Sequence, residues 1–382
     1  MLRPYALDGP LDRVVLLEDS DSLLATRIRE SNAVARSFAE RRLTRHFPET
    51  AIRAFGTYFQ TPSVHGADPR AGRHPHTLAR VLEAICQRTH DFQIGEKARG
   101  MQIGVLPGPT PIAIEMLGDR VEPDSSLCRP FAEGLAAAAA GNASIEIRVF
   151  DRHVDEWAEV ADDIASVSAA DIFMKLFIAG GEHSVNDWHR DTSDVVVTML
   201  DGRKRFQVAT ANSDDASPED EVDALLQPGD VLLLPRSRIH KATPAREVSA
   251  LLSIGLMRIA DWSYRSVSPT HLNLVNPRSP ALYRLSLRAH VAPTPGEPAP
   301  EDRIASRLPG GLGLVSDEPH RKVFLAGGRL WQADSATLDH LVAILGSDSL
   351  EAGRLAAGNG GGPAVGMEIQ RDLLAAGLVR KR

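Results

Sequence analysis

The chain has 382 residues, 43% of them hydrophobic and 24% charged, with a net charge of −7. That length suffices for two or three domains with sizeable cores. No stretch approaches the roughly 18 apolar residues of a membrane span, and the acidic balance argues against a dedicated nucleic-acid binder, whose phosphate contacts need a basic surface. The start, Met1-Leu2-Arg3-Pro4-Tyr5, lacks the apolar segment of a secretory signal. Two cysteines, Cys86 and Cys128, give neither a disulfide framework nor zinc-ligand spacing. The expectation is a cytoplasmic protein with both thiols reduced.

Residues 19–47 read as a helix. Asp19, Ser20, Asp21 and Ser22 offer an N-cap, and Leu23, Leu24, Ile28, Val34, Ala35 and Phe38 recur at helical spacing. Residues 59–76 form a loop rich in Pro, Gly and His. Its His65, His74 and His76 share no fixed ligand spacing, so a polar surface loop is the better reading than a second metal site. Helices are predicted over 77–88 and after Pro130, the latter ending at Gly141-Asn142, and 143–150 alternates as a strand.

Strands follow at 171–178, 194–200, 203–209, 231–235 and 248–256, each a short run of aliphatic or β-branched residues bounded by turn residues. Within this region stand Trp188-His189-Arg190-Asp191, then Asp201-Gly202-Arg203-Lys204-Arg205, then Pro228-Gly229-Asp230 before an apolar run that ends at Pro235, and then His240. His189 and Asp191 are two apart, so on a strand or strand end both side chains leave on one face. A single His after a strand is more often an ordinary hydrogen-bonded residue. Joined to His189 and Asp191, His240 completes a set of two imidazoles and one carboxylate, the facial triad that suits non-haem Fe(II) and leaves further positions open. His183, beside Glu182 in a Gly-Gly-Glu-His-Ser stretch, lacks a partner at that spacing and reads as a loop residue.

These residues resemble the JmjC-type branch of the cupin-fold 2-oxoglutarate oxygenases, and among them the bacterial ribosomal oxygenases. The shared pattern is His-x-Asp, a strand, a turn with Gly, a basic residue, the Pro-Gly-Asp strand and the distal His, over about a quarter of the chain. The resemblance implies a mostly β fold with α elements, a double-stranded β-helix (cupin or jelly-roll) barrel with helical support. It also implies Fe(II), with 2-oxoglutarate and O2 as cosubstrates. The family's basic residue lies fifteen positions after the first His, which here is Lys204. It pairs with the far carboxylate of 2-oxoglutarate. Arg203 and Arg205 remain alternatives, although Lys is scarce in a chain whose basic residues are nearly all Arg. Asn186 and Ser253 are candidates for further polar contacts to the cosubstrate, and Trp188 for packing beside the metal or in the core. The acidic stretch 213–221 reads as a solvated loop, with a rim attracting basic substrates as the other reading.

Beyond Met257 the character changes. Residues 261–317 carry Pro269, Pro277, Pro280 and a Pro-rich run between Pro293 and Pro300, and read as a linker. In the resembled family this region holds a dimerisation segment followed by a winged-helix-like module. Residues 318–382 fit that layout, with short helices predicted at 336–345, 349–357 and 367–378. From Asp317 to the end, eight basic residues balance eight acidic ones. The predicted organisation is thus a support region (1–150), a barrel core (151–260), a linker and dimerisation segment (261–317) and a winged-helix-like C-terminal domain (318–382). Zero net charge from Asp317 to the last residue favours a structural or protein-contact role over nucleic acid for this part of the chain.

The resemblance implies oxidative decarboxylation of 2-oxoglutarate to succinate and CO2, coupled to hydroxylation of a protein or peptide side chain, with an Arg, His or Asn β-carbon the first guess and a homodimer as the assembly. A small molecule or biosynthetic peptide as substrate, N-methyl demethylation, or a non-catalytic cupin scaffold are the other readings. Intact His189, Asp191, His240 and Lys204 speak against the last.

Overall fold

The structure, a computed structural model, describes residues 2–5, 16–17, 20–66, 102–107, 114–115, 143–148, 155–179, 187–211, 220–245, 247–258, 298–308, 311–319, 321–327, 329–357 and 362–381. The helices predicted over 77–88 and after Pro130, and most of the predicted linker, lie outside the described residues. In chain order the elements are β1 (Arg3–Pro4), α1 (Leu23–Leu43), α2 (Glu49–Phe55), β2 (Ser63–His65), β3 (Gln102–Pro107), β4 (Ile114–Glu115), β5 (Ala143–Arg148) and α3 (Asp155–Ser168). Then come β6 (Asp171–Ala179), β7 (His189–Arg190), β8 (Asp194–Asp201), β9 (Lys204–Ala209), β10 (Asp220–Leu226), β11 (Val231–Leu234), β12 (Ile239–Pro244) and β13 (Ser249–Met257). The C-terminal part carries β14 (Arg303–Ser306), β15 (Gly313–Glu318), β16 (Arg321–Ala326), β17 (Arg329–Ala333), α4 (Ser335–Leu345), β18 (Leu350–Glu351), α5 (Ala352–Ala357), α6 (Pro363–Ala375) and β19 (Val379–Lys381). These fall into two compact units, one of residues 43–161 and 172–257, the other of 1–42, 162–171 and 258–382.

The first unit is the β-helix that the resemblance implies. An eight-stranded sheet, β2-β11-β8-β13-β6-β5-β3-β4, and a four-stranded sheet, β10-β9-β12-β7, divide the strands between them. Val195, Val197, Met199, Leu232, Leu234 and Leu251 from the larger sheet form one buried cluster with Phe206, Val208 and Leu226 from the smaller. Burying each such side chain contributes about 1.5–3 kcal/mol, and the period of two along β9 sends Lys204, Phe206 and Val208 inward and Arg205 and Gln207 outward.

Two turns hold the strands in place. Between β8 and β9, Gly202 has φ +61°, and a Cβ there would stand 2.2 Å from the Val248 carbonyl oxygen, so only glycine fits. In the Pro-Gly-Asp turn, the Asp230 carboxylate accepts from the Gln227 N–H at 3.0 Å, while the Gly229 N–H and Asp230 carbonyl bond the backbone of Met199. The motif thereby fixes β11 against β8 by its turn chemistry.

Several strands differ from expectation. Ser63–His65, within the stretch read as loop, pairs antiparallel with β11, whose exposed edge supplies hydrogen-bond partners that local sequence does not reveal. The acidic stretch read as loop to Glu221 becomes strand at Asp220. There Asp220 accepts from Gln207 and Glu221 meets Arg238 at 2.9 Å. Its residues 213–219 lie outside the described residues.

In the second unit, α1 starts where the Ser22 hydroxyl accepts from the Ala25 N–H at 3.1 Å. Its Ala25 and Ile28 join Ile304, Leu314, Phe324, Leu338, Leu341 and Leu373 in a buried cluster. Asn32 pins the helix there by exchanging two 2.9 Å hydrogen bonds with the backbone of Leu312. The three C-terminal helices fall close to their predicted places, with Asp334 capping α4 through the Thr337 N–H at 2.8 Å. The strands were not anticipated. β15, β16 and β17 form an antiparallel meander completed by β1, and β18-β14-β19 a three-stranded sheet.

Candidate metal centre

His189 on β7 and His240 on β12 are directly opposed across the strand pair, and β12 continues onto β9 with His240 opposite Val208 and Pro244 opposite Lys204. The two imidazoles lie 4.1 Å apart, and the His240 Nε2 is 3.6 Å from an Asp191 carboxylate oxygen just beyond β7. One ligand atom from each of the three lies within 4.8 Å of the others, and among the described residues this is the one such group of three or more His, Cys, Asp or Glu.

The imidazoles are oriented for coordination. The Nδ1 of His189 stands 2.9 Å from the Asp187 carbonyl and that of His240 3.0 Å from the Arg238 carbonyl. A carbonyl can only accept, so each Nδ1 carries the proton and each Nε2 keeps its lone pair for a cation. Burial first, and then the neighbouring His189, hold the His240 imidazole below the ordinary histidine range, which keeps it neutral near pH 7. The backbone beneath is clamped, since the Ser237 N–H donates to the Asp191 carbonyl at 2.8 Å and Arg190 donates to the Ser237 carbonyl at 2.6 Å.

These three side chains line a cavity of about 120 Å³ with Lys175, Phe177, Lys204, Phe206, Leu234, Leu251 and Ser253 among others. Lys204 is 4% exposed and has no ion pair or hydrogen bond among the described residues. Its burial lowers the ammonium to about 8. Rungs four residues apart on β12 separate His240 from the position opposite Lys204, about 13 Å along the strand. The cavity therefore has metal-ligating groups towards one end and an unanswered cation towards the other. Arg203 and Arg205, the alternative anchors, are exposed and taken, by Glu247 at 2.8 Å and by Asp223 at 2.6 Å.

Ser253 is in the cavity wall, whereas Asn186, His183 and Glu182 lie outside the described residues. Trp188 is half-buried and not part of the lining. His65 is held by Thr50 at 2.9 Å and Ser63 at 3.0 Å, as a surface residue would be, and His74 and His76 are outside the described residues. Lys175 and Phe177 were not singled out from the sequence, although the alternation of β6 puts them on one face, with Ile172, Met174, Leu176 and Ile178 on the other.

Asp194 was also missed. It is fully buried, and its carboxylate accepts from the Phe59 N–H at 3.2 Å and the Arg236 N–H at 3.1 Å, tying the start of β8 to the turn that precedes β12. Asp194→Ala strands both donors, each worth about 1–3 kcal/mol when left unmade. A loss of about 2–4 kcal/mol in urea unfolding is expected, with Asp194→Asn losing less. A change under about 0.5 kcal/mol, the scale of an ordinary surface substitution, would contradict this role.

The family described as JmjC domain matches residues 150–263, the span that holds both histidines, Asp191 and Lys204. Over that span the chain is similar to JmjC domains. Among solved structures, the ribosomal oxygenase YcfD of Escherichia coli in complex with cobalt and 2-oxoglutarate is similar at 15% identity and a TM-score of 0.52, over 88% of this chain and 99% of that one. The same protein with cobalt and succinic acid gives 15% identity and a TM-score of 0.51 over the same shares. At that identity the likeness concerns the fold. No curated protein matches by sequence. No described helix is long and apolar enough to cross a membrane.

Proposed function

We propose that the chain is an Fe(II)- and 2-oxoglutarate-dependent oxygenase that hydroxylates a protein or peptide side chain. The observation that carries the reading is the meeting, in one cavity, of the His189–Asp191–His240 group with the buried ammonium of Lys204, unpaired among the described residues. Two imidazoles and a carboxylate fit Fe(II), and a deep cation fits the far carboxylate of a keto diacid. The cobalt and 2-oxoglutarate of the similar structure support the same pairing of ligands.

In this reading His189 and His240 hold the metal through Nε2 and Asp191 through its carboxylate, while Lys204 fixes the cosubstrate with help from Ser253 and Asn186. Bound iron, 2-oxoglutarate and O2 supply the oxidation: one oxygen atom enters a substrate C–H bond as hydroxyl, the other enters succinate, and CO2 leaves. Val195, Val197, Phe206, Leu234 and Leu251 give the cavity an apolar wall. No side chain need act as acid or base.

Residues 318–382, with the three C-terminal helices, are read as a winged-helix-like module, 261–317 as linker and dimerisation segment, and the assembly as a cytoplasmic homodimer. Its balanced charge supports a protein-contact role for that module. The test is anaerobic Fe(II) and 2-oxoglutarate binding followed by ultraviolet-visible spectroscopy. A metal-to-ligand charge-transfer band that is lost in His189→Ala and weakened in Lys204→Ala is expected. No band with metal demonstrably bound would overturn the reading.

A further inference from the structure

The cavity contains a second cation that neither the metal nor the cosubstrate requires. Lys175 on β6 lines it beside Phe177, and its ammonium pairs with Glu146 on the adjacent β5 at 3.2 Å. The two partners are not equally presented: the Glu146 side chain is 11% exposed and absent from the lining, whereas that of Lys175 is 31% exposed and within it. Exposure also grades the cavity. Lys204 and His240 are each 4% exposed, while Asp191 and Lys175 are more open.

We propose that Lys175, held by Glu146 in the wall of the cavity, receives a carbonyl or carboxylate oxygen of the substrate side chain, so that the enzyme acts on an amide- or carboxylate-bearing residue and not on arginine or lysine. The proposal rests on the oxygenase reading. In the loaded site the two charges of the diacid are answered by the metal and Lys204, and the Asp191 carboxylate is engaged with the metal. Among the described residues of the cavity lining, Lys175 is then the charged donor still facing the entering side chain. A guanidinium or ammonium brought beside it meets like charge in a partly desolvated site, whereas an amide or carboxylate oxygen gains a charge-assisted hydrogen bond. Phe177 gives the methylene part of that side chain an apolar face.

The test uses the full-length protein with nonapeptide pools whose flanking positions are degenerate and whose central residue is fixed as Asn, Asp, Arg, Lys or Leu. Binding is read as the thermal shift of the Mn(II)- and 2-oxoglutarate-loaded protein, and turnover as peptide-stimulated succinate formation with Fe(II). The Asn or Asp pools should bind at least about ten-fold more tightly than the Arg and Lys pools, a preference erased in Lys175→Gln and inverted in the charge-swapped Glu146→Lys/Lys175→Glu protein. Preference for Arg or Lys pools, or binding without discrimination in the native protein, overturns the proposal. So does a comparable fall in 2-oxoglutarate affinity in Lys175→Gln, which would make Lys175 a cosubstrate anchor. Failure of the native protein to bind 2-oxoglutarate at all is a separate result that overturns the oxygenase reading, and this proposal with it.

Discussion

Replacing Lys204 by methionine is expected to weaken 2-oxoglutarate binding by roughly 100-fold and, in the protein without cosubstrate, to raise stability. Both effects follow from one fact, that the ammonium is buried and meets no carboxylate among the described residues. Truncating one partner of a buried charge pair costs about 2–5 kcal/mol, and every 1.4 kcal/mol is a factor of ten in affinity. Without its partner the same charge is a burden, and an apolar side chain of similar volume should stabilise by about 1–4 kcal/mol. Burial lowers the group from 10.5 to about 8 in the folded state. Below pH 8 it is protonated in both states and the whole desolvation penalty stands. Between pH 8 and 10.5 the folded protein releases the proton while the unfolded chain keeps it, so stability rises with pH, by on the order of 3 kcal/mol across the window. Cosubstrate affinity runs the other way, falling above pH 8 as the cation is lost. Urea unfolding of the two proteins between pH 7 and 10, with and without 2-oxoglutarate, checks all three. If Lys204→Met is less stable than the native protein without cosubstrate and binds 2-oxoglutarate as tightly, the cation is not an anchor.

What was legible in the sequence is what local chemistry encodes. The turn at Asp201-Gly202-Arg203 needs a left-handed residue at its centre, and Pro228-Gly229-Asp230 needs a carboxylate to close on Gln227. Glycine and aspartate in those places are readable without a structure. Five of the eight strands between Asp171 and Met257, β6, β8, β9, β11 and β13, were legible for the same reason, being apolar runs bounded by turns, and so were the three C-terminal helices. Less legible were features made by strand neighbours far apart in sequence. Ser63–His65 becomes a strand because β11 has an edge to offer. Lys175 enters the cavity because β6 turns its Lys175 and Phe177 face that way, and Glu146 meets it only because β5 lies alongside. Asp194 looked like the polar start of a strand, and its burial comes from the backbone amides of Phe59 and Arg236 converging on it.

The three charged residues at the start of β9 show how the two kinds of information combine. Sequence left Arg203, Lys204 and Arg205 as competing anchors. Strand alternation resolves them, because the pairing of β9 with β12 and β10 turns Lys204 to the cavity and Arg205 to Asp223, and Arg203 finds Glu247 near the turn. Exposed pairs of that kind contribute little to stability. Their placement leaves the inward position to Lys204, whose ammonium meets no carboxylate among the described residues.

His240→Ala is expected to lower divalent-metal affinity by at least about 100-fold, since even removing a group that only orients a ligand costs 10- to 100-fold. His240 is buried, it meets His189 rung for rung, and its Nδ1 is committed to the Arg238 carbonyl, and among the described residues no further His, Cys, Asp or Glu joins the group to replace its Nε2. The loss is visible without turnover. Metal at 100 times its dissociation constant stabilises the folded protein by about 2.7 kcal/mol, and the corresponding rise in melting temperature with Co(II) or Mn(II) should vanish in His240→Ala and in Asp191→Ala. Without metal, His240→Ala should not share that deficit, because the deleted ring is a neutral group with one hydrogen bond. The pH dependence has a definite sign. Metal competes with a proton for Nε2, and the His240 imidazole is held below 6.5 by its burial and by His189, so His240 itself should not limit metal-induced stabilisation until the pH falls below that value. Asp191→Asn keeps the shape and removes the charge. It should leave the melting temperature without metal close to native and still abolish most of the metal-dependent rise. A full metal-dependent rise in both His240→Ala and Asp191→Asn would mean that the ion sits elsewhere and that the pairing of β7 with β12 serves the fold alone.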